Sequence, residues 1–388
     1  MQIRYARSNE IDDIKDIWNY CFDDSDSFVN YYFNDKYSRF NTVVVNEGEE
    51  IVSSLQLNQY KLILNDKVYD SSYVVGVSTL PQVRGRGYMR NIMKFTLREL
   101  YAKGQLISIL MPIDYRLYRQ YGYEHCYDQL EYTIDIEDLK RFRIGGRLHK
   151  INESHINDLI DISKFFLKDT NGNVYKTDEY YKNQFKEVKS ENGYMYIHED
   201  EGNQGYIIYF LNGDKMFVRE LFYKNINSLK SMLKFIYNHN TQCREVVISS
   251  PVNDKIRFIL DNPKTSQIKI KPFMMGRIIN LEKYLESLDI DSNLNLEANV
   301  FVEDQFLSEN NGVFNIKLNN NKLEVKKVDS DYDGYFTINT MTQLSFSYID
   351  MEEALVINNK SENECSENVI KLFNTIFTKK KNYINEYI

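Results

Sequence analysis

Between residues 42 and 102 the chain has three strand-like segments with very short connections, followed by a glycine-rich loop and a long amphipathic helix. The segments span residues 42–46, 51–64 and 67–80. Such connections join antiparallel neighbours, because a parallel crossover needs about a dozen or more residues. Apolar residues of the helix, residues 87–102, recur every three or four positions and predict one face packed on a sheet. The region therefore predicts an antiparallel meander with a helix packed on it, and not a doubly wound parallel sheet.

The loop that joins the third strand to the helix reads Arg-Gly-Arg-Gly from Arg84 onward. A strand that ends in such a loop and opens a helix points several backbone N–H groups, and the positive end of the helix dipole, at one place. Gly85 and Gly87 let an anion approach closely, and Arg86 and Arg90 add positive charge. The pattern fits a pyrophosphate site, although a basic turn without any ligand would have the same sequence. It is neither a Walker loop nor a GxGxxG dinucleotide fingerprint.

Two further units follow this first one. From residue 146 the helical and strand signals repeat the order of the first unit, which indicates an internal duplication. From residue 285 the pattern changes to strands between residues 313 and 339 and a final helix near 368–377. The chain ends with large apolar residues, so we expect the tail to dock on the folded protein. We predict an α+β fold with two related mixed sheets and a smaller third domain, divided at residues 1–145, 146–284 and 285–388.

Bulk properties narrow the classes of function. The net charge of −8 and the lack of a long basic stripe argue against nucleic acid, although an acidic protein would attract a cationic substrate. The four cysteines are scattered without the spacing of a metal site or a disulfide framework. No apolar run approaches the roughly 18 residues of a membrane span, and the first residues lack the apolar core of a signal peptide. We therefore expect a cytoplasmic protein that binds no metal and no membrane.

The meander, the loop and a segment that reads Leu117-Tyr118-x-x-Tyr121-Gly122-Tyr123 together resemble the GNAT superfamily of acyl-CoA N-acyltransferases. The whole chain looks like the enhanced intracellular survival (Eis) family, which has two GNAT units followed by a sterol-carrier-like domain. Met89 stands where the superfamily usually has Gly or Ala, and the Eis family also has a bulky residue there. The closing residues resemble that family's tail, although a terminal aromatic residue is more usual than Ile388.

This resemblance implies acetyl-CoA as the co-substrate, held by a strand end, the loop backbone and the end of the neighbouring strand. The implied binding residues are Val77, Ser78, Thr79, Gly85, Arg86, Gly87, Tyr88, Met89, Arg90, Ile113 and Asp114. The second unit lacks an R-x-x-G sequence before its helix, so we expect it to be catalytically silent. The resemblance also implies a homohexamer.

Transfer of an acetyl group to an amine requires a base for the amine proton and an acid for the departing thiolate. The resemblance assigns the acid to Tyr118 and the base to the C-terminal carboxylate, here on Ile388. A packing tyrosine and a merely anchored tail are the alternatives. His125 is a second candidate base, or else a structural histidine. No Ser/His/Asp or Cys/His spacing supports covalent catalysis, so we expect direct transfer in a ternary complex.

The predicted function is that of an acetyl-CoA-dependent N-acetyltransferase. Its expected acceptor is a primary amine of a cationic molecule: an aminoglycoside-like small molecule, a polyamine or a lysine. Two other functions stay open. One is a non-catalytic acyl-CoA-binding sensor. The other is a Fem-like peptidyl-transferase of cell-wall synthesis, although the sequence has no long heptad run of the kind such ligases carry.

Overall fold

One continuous sheet of thirteen strands forms the body of the protein, and a separate four-stranded sheet lies in the third unit. The computed structural model of the chain describes residues 1–357 and 365–387. The strands of the large sheet are β1 (Gln2–Tyr5), β2 (Thr42–Glu47), β3 (Glu50–Leu64), β4 (Lys67–Thr79), β5 (Ile107–Leu110), β6 (Glu124–Asp135), β7 (Arg147–Lys150), β8 (Asn173–Val174), β9 (Tyr194–Glu199), β10 (Asn203–Asn212), β11 (Lys215–Tyr223), β12 (Glu245–Ser250) and β13 (Gln267–Ile278).

The first unit contains the meander predicted from the sequence. Strands β1 to β4 pair in antiparallel order, and β5 adds to β4 in the parallel direction. Its helices are α1 (Ile11–Cys21), α2 (Asp26–Tyr31), α3 (Tyr88–Ala102) and α4 (Tyr115–Arg119). The apolar stripe of α3 is buried on one face of this sheet, whereas α1 and α2 cover the opposite face. Strand β4, which precedes the glycine loop, is therefore covered on both faces, and helix α3, which follows the loop, packs on one of them.

The second unit repeats this arrangement. Strands β7, β9, β10 and β11 form an antiparallel series, and β12 adds to β11 in the parallel direction, as β5 does to β4. The helices are α5 (Ile156–Leu167), α6 (Asp178–Ser190) and α7 (Ile226–Tyr237). The matching strand order supports the duplication inferred from the sequence.

Two long strands, β6 and β13, belong to both units. Counted from β1, the order is β1-β2-β3-β4-β5-β13-β6, and counted from β7 it is β7-β9-β10-β11-β12-β6-β13. Each unit thus receives a strand from the other, since β13 follows the second unit in sequence and yet pairs with β5 of the first. The residue patterns of these two segments did not indicate strands. The exchanged strands join both units in one sheet, so the sheet itself marks no boundary between them. The domain boundaries at residues 145 and 284 therefore stay predictions.

The third unit has strands β14 (Leu296–Glu303), β15 (Gly312–Asn319), β16 (Lys322–Val328) and β17 (Gly334–Thr337), in the order β16-β15-β14-β17. Its helices are α8 (Leu281–Glu286), α9 (Ile338–Ser345), α10 (Met351–Ile357) and α11 (Glu367–Ile376). Helix α9 packs against β13 and β6, which fixes this unit to the exchanged strands. Among the helices of residues 1–357 and 365–387, none combines the length and the apolar character needed to cross a bilayer.

The tail after α11 docks on the protein through a cluster of buried asparagines, as the apolar chain end predicted. The side-chain amide of Asn382 donates to the carbonyls of Cys126 (2.8 Å) and Phe346 (2.9 Å). That of Asn171 donates to the side chain of Asn382 at 2.8 Å and to Phe346 at 3.1 Å. The backbone N–H of Asn65 donates to Asn171 at 2.7 Å. These bonds connect the first unit, the second unit and the tail.

Asn171→Ala should lower the free energy of unfolding by about 2–3 kcal/mol, because it leaves buried partners without a hydrogen bond. Urea unfolding followed by tyrosine fluorescence would measure the loss. Asn293→Ala is the matched control, since Asn293 is exposed, and its unfolding midpoint should equal that of the wild type. Equal midpoints for both variants would contradict the role given to the asparagine cluster.

Candidate active site

An opening in the large sheet lies where β4 and β5 separate. These two strands pair from Ser71 opposite Ile107 to Val74 opposite Leu110. Beyond Val74, β4 continues to Thr79 with no partner strand on its β5 side in the part of the chain that the structure describes. Backbone groups along this edge can therefore bind a ligand.

A bulge at Gly76 produces this divergence. The register between β3 and β4 shifts after Ser54, and Gly76 has φ +57°. A Cβ at this position would lie 2.1 Å from the side chain of Gln56 and 2.3 Å from the ring of Trp18, so only glycine fits. Because a bulge bends its strand and increases the local twist, the segment that contains Val77 turns away from β5.

The loop after β4 presents a row of free backbone donors. None of the N–H groups of residues 85–90 donates to an acceptor among the described residues. Gly85 and Gly87 have φ +80° and +79°, and Gly87 caps the N-terminus of α3. Consecutive free N–H groups at the positive end of a helix are a binding site for a phosphate or pyrophosphate. The geometry thus fits the site expected from the loop sequence.

The arginines of the loop have different partners. Arg84 donates from Nε to the carbonyl of Thr79 at 3.0 Å and closes the loop onto the end of β4. Arg86 pairs with Glu47 at 3.3 Å in an exposed position, where such a pair contributes little. The guanidinium of Arg90 lies 4.7 Å from the ring centre of Phe306 in the third unit.

Tyr118 lies beside the loop in a shared apolar cluster. Its side chain is 7% exposed and is buried with Tyr88 and Met93 of α3, while Val77 and Met89 pack against the same cluster. Burial, with a smaller contribution from Tyr121, raises the pKa of Tyr118 to about 12. The phenol therefore keeps its proton at neutral pH.

The remaining residues predicted to bind the co-substrate lie at the end of β5. Asp114 caps α4 by accepting from the N–H of Arg116 at 2.9 Å, and Ile113 is 82% exposed. The side chain of Asp114 also forms an ion pair with Arg116 at 2.6 Å. The structure thus places both residues between β5 and the helix that carries Tyr118.

The contacts of His125 favour a structural role over the role of a catalytic base. Its Nε2 lies 3.0 Å from a carboxylate oxygen of Asp128, and the hydroxyl of Tyr348 donates to the other oxygen at 2.8 Å. Although burial opposes it, these hydrogen bonds lower the pKa of Asp128. Gln343 donates to the backbone carbonyl of His125 at 2.9 Å. His125 therefore joins β6 to the third unit.

A cavity of about 860 Å³ lies beside the docked tail, which forms part of its wall. The first unit contributes Tyr60 to its lining, the second unit contributes Tyr180, and the tail contributes Glu386 and Tyr387. Tyr180 donates to the carboxyl of Glu386 at 2.8 Å, and burial raises the pKa of that carboxyl. The last residue of β4 that pairs with β5 is Val74, and Tyr73 precedes it. The hydroxyl of Tyr73 donates to the backbone carbonyl of Glu386 at 3.5 Å. The tail thus reaches the edge of the sheet opening.

The base predicted from the sequence is the C-terminal carboxylate. The C-terminal carboxylate is carried by Ile388, which lies outside the described residues, and Tyr387 is its neighbour. The hydroxyl of Tyr387 donates to the side chain of Gln129 at 2.9 Å. The sequence did not indicate that Glu386 and Tyr180 line this cavity, because neither residue stands in a recognisable spacing with the loop.

The second unit has a similar opening without the loop. Its β11 pairs with β12 only as far as Val218 opposite Ile248, although β11 continues to Tyr223. Helix α7 follows at once, and its capping residue Asn225 accepts from the N–H of Ser228 at 2.8 Å. In this opening the side chain of Asn385 from the tail donates to the carbonyl of Arg219. This arrangement favours the expectation that the second unit is silent.

The chain matches three domain families in order. Residues 2–126 and 172–278 each match an acetyltransferase (GNAT) domain, and residues 281–385 match a sterol carrier protein domain. The chain therefore contains two GNAT acetyltransferase domains followed by a sterol carrier protein domain, and it is an N-acetyltransferase by class. No curated protein sequence matches it. Within residues 1–357 and 365–387, no group of three His, Cys, Asp or Glu side chains is placed to hold a metal ion.

Solved structures share the complete domain order. A probable N-acyltransferase from Enterococcus faecalis V583 is 21% identical with a TM-score of 0.87, covering 100% of this chain and 99% of that one. A GCN5-related N-acetyltransferase from Anabaena variabilis ATCC 29413 is 21% identical, with a TM-score of 0.83 and 100% of both chains covered. Eis1 from Mycobacterium abscessus is 13% identical, with a TM-score of 0.76 and 100% of both chains covered. The predicted fold and the resemblance to the Eis arrangement are confirmed.

Gly85→Ala should weaken the binding of CoA about five- to thirtyfold, because the left-handed backbone that presents the N–H groups costs an L-residue roughly 1–2 kcal/mol. Isothermal titration with CoA would measure the change. Gly213→Ala is a matched control, since Gly213 also has positive φ with no atom within 4 Å of an added Cβ, and lies in the β10–β11 turn. CoA affinity equal to wild type in both variants would rule out the loop as the pyrophosphate site.

Proposed function

We propose that this protein transfers an acetyl group from acetyl-CoA to a primary amine of a cationic acceptor in the cytoplasm. The observation that carries the proposal is the row of free N–H groups in residues 85–90, which lies beside the buried Tyr118 at an opening in the sheet. The donor would enter on the α3 face, and the acceptor would reach the thioester from the cavity beside the tail.

The donor site is proposed to use the backbone of the β4 edge and of the loop. A pyrophosphate would accept from the loop N–H groups, and the unpaired edge of β4 would align the pantetheine arm. The residues proposed to hold acetyl-CoA are Val77, Ser78, Thr79, Gly85, Arg86, Gly87, Tyr88, Met89, Arg90, Ile113 and Asp114.

The proposed reaction is a direct transfer in a ternary complex. The lone pair of the amine attacks the thioester carbonyl, the carbon–sulfur bond breaks, and the thiolate takes the proton of Tyr118. Since burial keeps that phenol protonated, the acid is in the required form at neutral pH. The amine proton is proposed to pass to the carboxylate of Ile388, one residue after the cavity-lining Tyr387.

One carboxyl in the cavity lining, that of Glu386, supports a cationic acceptor. Glu187 is already paired with Lys36 at 3.2 Å and with Arg219 at 2.6 Å. In contrast, Glu386 accepts from Tyr180 and has no ion-pair partner within 4.0 Å in the described chain. We propose that this carboxyl and the terminal carboxylate attract the acceptor's ammonium group, whether of an aminoglycoside-like molecule, a polyamine or a lysine. The resemblance to the Eis family further suggests a homohexamer.

Tyr118→Phe should reduce kcat about a hundredfold, because general acid catalysis commonly contributes roughly 10²–10⁴ in rate. The affinity for CoA should stay within about twofold of wild type, since the packing of the ring is retained. Steady-state kinetics and calorimetry on the same preparation would separate the two effects. Tyr20→Phe, at a tyrosine that is 67% exposed, serves as the control, and full turnover in Tyr118→Phe would contradict the assignment.

Adding two glycines after Ile388 should lower kcat at least about tenfold, because it moves the terminal carboxylate away from the acceptor. CoA affinity should be unchanged, as the donor loop is on the other face. The same two residues added before Met1 provide the control. Normal turnover in the C-terminally extended protein would remove the Ile388 carboxylate from the mechanism and leave the role of Tyr118 intact.

A further inference from the structure

A loop of the sterol carrier domain lies directly against the candidate donor site. Phe306, between β14 and β15, is 4% exposed and belongs to the same apolar cluster as Tyr118. The guanidinium of Arg90 stands over its ring at 4.7 Å from the centre. Tyr121 contacts the ring edge-on, with 4.9 Å between centres and 80° between planes. Phe306 therefore contacts a residue of the donor loop and the turn that follows Tyr118.

Buried polar contacts fix the position of Phe306. One carboxylate oxygen of Asp304 accepts from the N–H groups of Phe306 (3.0 Å) and Leu307 (3.1 Å). The other oxygen pairs with Arg277 of β13 at 2.6 Å, with both side chains almost fully buried. Asn310 donates to the same oxygen at 3.1 Å. Removal of one partner from such a pair is strongly destabilising, so the loop is held rigidly.

The same ion pair also supports the segment that carries Tyr118. Arg277 lies under Gly122, where an added Cβ would be 2.6 Å from the guanidinium carbon. Asn339 of the third unit donates to the carbonyls of Arg119 (3.0 Å) and Tyr123 (3.1 Å). The sterol carrier domain thus contacts both sides of the turn that ends α4.

The positive charge of Arg90 is not neutralised by a carboxylate of the described residues and can therefore interact with an anionic ligand. Within the described chain no carboxylate forms an ion pair or hydrogen bond with Arg90, in contrast to Arg86, which pairs with Glu47. An arginine at an exposed helix end loses side-chain entropy when it binds a phosphate. A ring beneath the guanidinium restricts that freedom in advance without neutralising the charge.

We propose that Phe306 is a positioning residue of the donor site, which orients Arg90 toward the CoA phosphates. The sterol carrier domain is thereby part of the acetyl-CoA site. This inference rests on the proposed function, because it takes the loop of residues 85–90 as the place where CoA binds.

A double-mutant cycle on CoA affinity tests the inference. We expect Arg90→Ala and Phe306→Leu each to weaken CoA binding about two- to fivefold, the size of one exposed cation–π contact. The double variant should bind no more weakly than Arg90→Ala, because Phe306 acts through Arg90. Phe301→Leu is the control, since Phe301 stacks on Tyr335 within the third unit, and it should bind CoA as the wild type does.

Additive losses in the double variant, or wild-type affinity in Phe306→Leu, would overturn the inference. Thermal melting compares the folding of all variants, and Phe306→Met, whose flexible chain fills a similar space, replaces Phe306→Leu in the cycle if the latter is unstable. A wild-type protein that does not bind CoA would instead sink the proposed function. The two failures are therefore distinguishable.

Discussion

The exchange of β6 and β13 between the two acetyltransferase units is the constraint on which the arrangement of the molecule depends. β13 completes the first sheet beside β5, and β6 completes the second beside β12. Because buried backbone donors and acceptors must be paired, neither sheet is complete without the other unit. The strands also bring distant residues to one place. Tyr118 lies in α4, the helix before β6. Arg277 lies on β13, and Asp304 joins the third unit to that strand.

The divergence of β4 and β5 would let the proposed donor and acceptor approach from different faces. The glycine loop and Tyr118 share the apolar cluster that contains α3. The tail lies on the opposite face, where Tyr73 contacts the carbonyl of Glu386. The second unit, whose own opening has no glycine loop, holds the tail through Arg219. Duplication thus gave one opening with the proposed chemistry and another that positions the chain end.

Features with a local cause were predictable from the sequence, and features made by long-range pairing were not. The loop could be found because Gly85 and Gly87 adopt positive φ and an amphipathic helix follows them. By contrast, Gln267 pairs with Thr133. No residue pattern in either segment predicts a pairing between residues so far apart in the chain. Phe306 and Glu386 reach the site only through the packing of separate units. Because a single Phe or Glu has no characteristic spacing to other residues, its sequence context does not predict that it lies near the candidate site.

Release of free CoA thiol measures most directly whether the opening catalyses transfer to an amine. Purified protein is incubated with acetyl-CoA and a panel that contains an aminoglycoside, a polyamine and a lysine peptide, with the thiol followed over time. We expect thiol release that depends on at least one amine and that rises with the concentration of that amine. Tight binding of CoA with no stimulation by any amine would contradict the account and favour an acyl-CoA sensor.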